Sequence, residues 1–142
     1  MENNSNIKLK PVTKNDALFL YELLKTKDPI ANISHKKMPS YDEHVNFILS
    51  NPYAIWYIIE YEGKKIGSVY LSKHDEIGIS LVDNSLYDKI GKSIIKLLIK
   101  NNPRKHYLAK VSPQNKKLQN FFVNNGFTGL EYTYEIIVEN ES

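Results

Sequence analysis

Between Ala54 and Val82 three β-type segments follow one another with no helical period between them, and that block limits what the rest of the chain can fold into. Ile55 to Tyr61 and Ile66 to Ser72 are separated by Glu62-Gly63-Lys64, a turn-forming tract, so the pair is expected to close as a hairpin. A third stretch, Glu76 to Val82, alternates: Ile77, Ile79 and Leu81 fall on one face, Glu76, Gly78 and Ser80 on the other. Glu76 therefore leaves the apolar layer.

The flanking segments switch to a helical period. Ile7 and Leu9 read as a short strand, followed after Thr13 by a helix with Ala17, Leu20, Tyr21 and Leu24 at helical spacing. Lys25 to Pro39 has no clear period and reads as a loop. Ser40 and Glu43 form a capping box, and Val45, Ile48 and Leu49 stripe a second helix ending near Asn51-Pro52. After the β block, Ile90, Ile94, Ile95 and Leu98 mark a third helix, stopped by Asn101-Asn102-Pro103. Tyr107 to Val111 reads as a strand, Leu118, Phe121 and Phe122 stripe a fourth helix ending at Gly126, and Glu131 to Val138 reads as a closing strand. The order is β-α-α-β-β-β-α-β-α-β. An α/β fold is expected, one domain over residues 1–142, with a mixed twisted sheet, helices on both faces and a cleft between the strands ending near Val82 and Val111.

At 142 residues the chain is long enough to bury a core without staples. It has no cysteine, which removes disulfides, a thiol nucleophile and cysteine-based zinc sites. With a polar start and no apolar run of about 20 residues, no membrane segment is expected and a cytoplasmic location is. Arg104 is the single arginine among 19 basic residues, and scattered lysines alternating with acids read as a solvated surface, so no nucleic-acid partner is expected. The net charge of +3 suits an acidic small ligand, and the Lys, Asn, Ile and Tyr richness equally fits codon bias.

Two segments carry a family resemblance. Lys110-Val-Ser-Pro-Gln-Asn115, followed by Leu118, Phe121-Phe122 and Gly126-Phe127, is similar to the second CoA-side motif of the GNAT N-acetyltransferases, and Ile79 to Leu98 resembles their pyrophosphate-binding motif. The resemblance spans nearly the whole chain. In the family the first motif is Q/R-x-x-G-x-G/A at a helix start, where unpaired amides and the helix dipole receive phosphates. Here Leu86 replaces the Q/R and Lys89 the first glycine, and Gly91 alone remains. The resemblance implies acetyl-CoA as cosubstrate, held by Ser80, Leu81 and Val82 along a splayed strand, by Lys89, Ile90, Gly91, Lys92 and Ser93 at the helix start, and by Asn115, Phe121 and Phe122. Lys89 and Lys92 would add direct charge to the phosphates, Asp88 works against that, and a glycine in a helical first turn is commonly a packing or turn residue.

Acetyl transfer to an amine needs a neutral nucleophile, a polarised carbonyl and a proton for the departing thiolate. The resemblance makes Glu76 the catalytic base, acting through a water, and gives the carbonyl to the amide of Leu81 or Val82. Family members often place a tyrosine seven residues after the motif asparagine to protonate the thiolate, but Phe122 stands there and has no proton to give. Tyr132 or Tyr134 are candidates, or the thiolate leaves unaided, or catalysis is lost. His35, Tyr41 and Trp56 are the expected acceptor contacts, with His44, Tyr53 and Tyr57 nearby in sequence. No metal site is expected, because His35 and His44 lack the spacing of zinc ligands. The acceptor is expected to be a small-molecule amine. The tract from Pro39 to Tyr57 is similar to GNATs associated with amino sugars, while a polyamine, a protein amine, or CoA binding without turnover stay open. A homodimer is compatible with these patterns but not specified by them.

Overall fold

The structure is a computed structural model and describes residues 6–26 and 38–138. Five strands form one sheet in chain order: β1 (Ile7–Pro11), β2 (Ile55–Tyr61), β3 (Lys64–Leu71), β4 (Glu76–Leu81) and β5 (Leu108–Ala109). The first four are antiparallel, and β5 joins β4 in parallel, so the sheet is mixed. The β2–β3 hairpin turns on Glu62 and Gly63, both at positive φ (51° and 81°), whose twist matches that of the flanking strands. A register shift between Ile59 and Glu60 leaves Ile66 without a cross-strand partner, a bulge that lets Ile66 stay in the core at 8% exposure.

Helices cover both faces. On one side α1 (Ala17–Lys25) and α2 (Tyr41–Leu49) bury Ala17, Leu20 and Ile48 against Ile58. On the other, α3 (Lys92–Asn101) and α4 (Lys116–Asn124) pack Ile94, Ile95, Leu98, Phe121 and Phe122 against Ile59, Val69, Leu71, Ile77, Ile79 and Leu81. Each such large aliphatic side chain contributes about 1.5–3 kcal/mol by leaving water.

Both helices of the first layer start at capping boxes. Thr13 N–H donates to Asp16 Oδ2 at 2.8 Å, and Asp16 also receives Lys65 Nζ at 2.8 Å, tying the helix entrance to β3. Ser40 N–H donates to Glu43 Oε1 at 2.8 Å while Glu43 N–H donates to Ser40 Oγ at 3.1 Å.

The structure differs from the sequence expectation at the C-terminal end. Residues 131–138 form no strand, and Tyr132, Tyr134, Ile136 and Val138 are fully out in solvent. Their alternation is real, but a strand exists only through a partner, and no described strand pairs with them. The strand expected over Tyr107 to Val111 shrinks to two residues. Its start is held as a loop by Tyr107, whose hydroxyl donates to Asn102 O at 2.7 Å and accepts from Arg104 N–H at 2.8 Å. Among the described residues no helix is long and apolar enough to cross a membrane.

Candidate functional site

β4 and β5 touch at two rungs only, Glu76 with Leu108 and Ile77 with Ala109. Beyond Ile77 the strands part while β4 continues to Leu81, so the sheet opens as a wedge. A cleft of about 590 Å³ fills the opening, lined by Ile79 to Asn84, Tyr87, Gln114, Asn115, Lys117, Leu118 and the end of α1 at Leu23 and Thr26. That volume is in the range of small-molecule sites.

The orientation of the β4 backbone sorts the expected contacts. Val82 N–H donates to Ile66 O at 2.8 Å, towards β3, so this amide is already used. Leu81 N–H points the other way, into the wedge, and its partner is the Tyr87 hydroxyl at 3.3 Å. The same hydroxyl donates to Ile79 O at 3.4 Å. Ser80 is buried on the opposite face and lines the cleft through the strand. Of the two amides expected to polarise a carbonyl, Leu81 alone faces the opening.

The helix after β4 begins a turn earlier than its apolar phase indicates. Ser85 and Leu86 are already helical, and Asp83 caps them, its carboxylate accepting from Ser85 N–H and Oγ at 2.9 Å each. Those bonds hold the Asp83 carboxyl below its usual range. A π-turn over Tyr87–Gly91 follows, so Gly91 lies inside the helix and not at its open end. Ile90 and Ser93 are buried, and a Cβ on Gly91 would collide with Phe121 Cε1. Gly91 is therefore a packing glycine: what approaches it closely is the Phe121 ring. Lys89 reaches over the Tyr61 ring at 5.7 Å, and Lys92 is exposed. Asn84 lines the cleft at this helix start, where Ser85 N–H, Leu86 N–H and Tyr87 N–H already bond to Asp83 and Asn84, and Asp83-Asn84-Ser85 is a cap signal that the sequence already contained.

On α4 the expected contacts divide by helical phase. Asn115 is the N-cap, its Oδ1 accepting from Leu118 N–H at 3.2 Å, and it lines the cleft beside Leu118 and Lys117. Phe121 and Phe122 do not line it. Both rings are in the core, 5.3 Å apart, with Phe122 also 5.0 Å from Phe127. Lys117 Nζ pairs with Asp88 Oδ2 at 2.9 Å, joining the starts of the two helices.

Glu76 stands at the closed end of the wedge, outside the cleft lining and on the α1–α2 face of the sheet. Lys110 Nζ lies 2.9 Å from its Oε2, and Ser72 Oγ donates to Oε1 at 3.2 Å. The Lys110 ammonium, aided by Ser72, holds the Glu76 carboxyl below its ordinary value against the opposing effect of burial. Beside it Tyr70 lies across Gly78, its register partner, and stacks on Tyr53 with centroids 3.8 Å apart. Trp56 closes this wall edge-on to Tyr53 at 4.9 Å and to Phe47 at 6.0 Å. Its indole Nε1 is buried without a hydrogen bond among the described residues. Burial pushes the Tyr53 and Tyr70 phenols up, so both stay protonated donors.

Of the expected acceptor contacts, Trp56 joins this wall. Tyr41 does not; it packs edge-on to Tyr21 at 5.4 Å, alongside His44. Tyr57 falls on the opposite face, where its hydroxyl accepts from Asn102 Nδ2 at 3.2 Å. His35 lies outside the described residues. Tyr132 and Tyr134, 89% and 90% exposed, are away from any packed surface. Sequence reasoning missed Tyr70, Tyr87 and Lys110; the hairpin register that puts Tyr70 opposite Gly78 was a usable signal for the first. Among the described residues no cluster of three or more His, Asp or Glu side chains is arranged to hold a metal ion.

No family model and no curated protein matches the sequence. Solved structures do match the fold. A domain from Methanocaldococcus jannaschii DSM 2661 is 24% identical with a TM-score of 0.76, covering 91% of this chain and 92% of that one. The Vibrio cholerae spermidine N-acetyltransferase solved with CoA and spermine is 16% identical with a TM-score of 0.76, covering 96% and 89%. RimL, a ribosomal L7/L12 alpha-N-protein acetyltransferase solved with CoA, is 13% identical with a TM-score of 0.65, covering 87% and 81%. The fold is that of the GNAT acetyltransferases.

Proposed function

We propose that this protein transfers the acetyl group of acetyl-CoA to a primary amine of a small molecule. The observation that carries the reading is the wedge beyond the two β4–β5 rungs. Its unshared strand edge, with Leu81 N–H and Ile79 C=O facing a cleft of about 590 Å³, is what an extended amide-bearing arm of CoA would pair with. The same fold holds CoA in the Vibrio cholerae enzyme and in RimL. Phosphates would approach the helix start at Asn84 and the Lys117 ammonium, with Asp83 opposing them and the Ser85, Leu86 and Tyr87 amides already bonded within the turn, so a weaker diphosphate grip than the intact glycine motif gives is expected. Asn115 and Leu118 flank the arm, and Leu81 N–H polarises the thioester carbonyl.

Glu76 takes the amine proton through a water at the narrow end of the wedge. Lys110 keeps it ionised, at the expense of some basicity. The acceptor lies against Tyr70, Tyr53 and Trp56. A wall of aromatic faces beside a carboxylate already neutralised by lysine suits a sugar ring better than a polycation, which favours an amino sugar over a polyamine. The protein acts in the cytoplasm, without nucleic acid, membrane or metal, and a homodimer is consistent with this role.

Calorimetric titration with acetyl-CoA, followed by a thiol-release assay over amino sugars, polyamines and peptide N-termini, tests the reading. Binding plus release with an amino sugar is the expected result. Binding without release from any amine leaves a CoA-binding protein, and no binding removes the proposal.

A further inference from the structure

We propose that Tyr87 is the proton donor to the departing CoA thiolate, filling the role that Phe122 leaves empty. The inference rests on the acetyl-transfer reading. Of the ten tyrosines in the chain, Tyr87 is the one that lines the cleft. Its hydroxyl bridges Leu81 N–H (3.3 Å) and Ile79 O (3.4 Å), the two β4 groups that the parting of β5 leaves open. A thioester carbonyl that takes the Leu81 amide replaces the phenol oxygen there and leaves the phenol O–H beside the sulfur on the same carbon.

Three features hold the group for that role. The ring is edge-on to Phe121 at 5.4 Å, which fixes its direction. Tyr87 opens the π-turn, where the helix takes an extra residue, and its hydroxyl reaches β4 from there. Burial pushes the phenol up, so it carries its proton at neutral pH. The two bonds are long, as hydrogen bonds of a catalytic group commonly are before substrate tightens them.

The step balances without a further reagent. The neutral amine nitrogen forms a bond to the acetyl carbon, the C–S bond breaks, and its electron pair takes the Tyr87 proton to give CoA thiol. The phenolate then recovers a proton from solvent, and the amine's surplus proton leaves through Glu76.

The test reads the thiol directly. A phenol that donates to sulfur stabilises bound thiolate, so CoA affinity rises as pH climbs through the thiol range near about 8.5. The wild-type protein is titrated with CoA and with desulfo-CoA, which lacks only the thiol, at pH 7.0 and 9.5. Asp83 and Lys117 border the same cleft, with Asp88 paired to Lys117, and the desulfo-CoA arm cancels their contribution. The expected gain for CoA over desulfo-CoA is about tenfold across that interval, one unit of depression of the bound thiol. Tyr87→Phe abolishes that gain, leaves desulfo-CoA affinity within about twofold, and lowers turnover by about 10²-fold or more. If CoA tracks desulfo-CoA at both pH values in the wild type, Tyr87 is not the donor, and this arm needs no variant to fold. Tighter binding by Tyr87→Phe with undiminished turnover would instead make the phenol a plug on β4. Absence of CoA binding altogether would remove the acetyl-transfer reading itself, a result distinct from both.

Discussion

Gly91→Ala separates the two physical meanings that a glycine at this position can have. A glycine in a helix interior gives away about 1 kcal/mol of helix propensity relative to alanine, so the substitution in open space is stabilising by that amount. At Gly91 the backbone is ordinary helix (φ −57°, ψ −42°), so nothing in the conformation itself requires glycine. The new Cβ, however, would collide with Phe121 Cε1 and stand 2.8 Å from Cζ. The ring cannot swing away, because it is 6% exposed and held between Tyr87 and Phe122. Overpacking of this kind costs about 1–3 kcal/mol, and set against the propensity gain it leaves a net loss of roughly 0–2 kcal/mol. Urea unfolding followed by the fluorescence of Trp56, the single tryptophan, measures it. Pairing with Phe121→Leu should recover the loss, with a coupling energy of about 0.5–3 kcal/mol in the double-mutant cycle. A Gly91→Ala protein more stable than wild type by the full ~1 kcal/mol would refute the packing role and return the glycine to the phosphates.

Glu76→Gln should lower turnover by about 10²-fold at neutral pH with acetyl-CoA affinity nearly unchanged, and the loss should shrink at high pH where free amine is plentiful; full activity across pH in steady-state assays would remove Glu76 as the base. Because Lys110 holds the folded-state Glu76 below its ordinary value of 4.5, the pair adds stability above that pH and loses it as pH falls through the depressed value. Lys110→Met should therefore lower the melting temperature above pH 4.5 and leave it nearly unchanged at lower pH, flattening the acid limb, and an unchanged profile would show that the ion pair does not persist in solution. Asp16→Asn removes both the reciprocal cap on Thr13 and the charge facing Lys65, and should cost about 1–2 kcal/mol at pH 7 by chemical denaturation. Burial alone would raise the Asp16 carboxyl, but Lys65 and Thr13 hold it below 3.8, so this contribution should fade on acidification below that value.

What the sequence made legible was local. The alternation of β4 put Glu76, Gly78 and Ser80 opposite Ile77, Ile79 and Leu81, and the Ser40–Glu43 capping box can be read from four residues. What it hid depended on partners far along the chain. Gly91 matches a phosphate motif in spacing, yet it packs on Phe121, 30 positions later, a contact that no local pattern specifies. The alternation of residues 131–138 is as clear as that of β4, but strand propensity does not say which edge will receive a segment. That Phe122 offers no proton is plain from its side chain. The tyrosine in the cleft is not plain from the sequence, because the π-turn that carries it has no sequence signature of its own.

The sequential strand order also bears on how the wedge comes into being. β1 through β4 pair as antiparallel neighbours, and two of their three pairings close loops of only a few residues. β5, by contrast, reaches β4 only after α3 has crossed over. Contacts of low sequence separation form early because little loop entropy opposes them, and a parallel pairing across a helix forms late. With two rungs to hold it, that last pairing should also be the first to open. Amide exchange should therefore find strong protection through β2 and β3 and a sharp fall at Leu108 and Ala109, making the edge that borders the cleft the least protected part of the sheet.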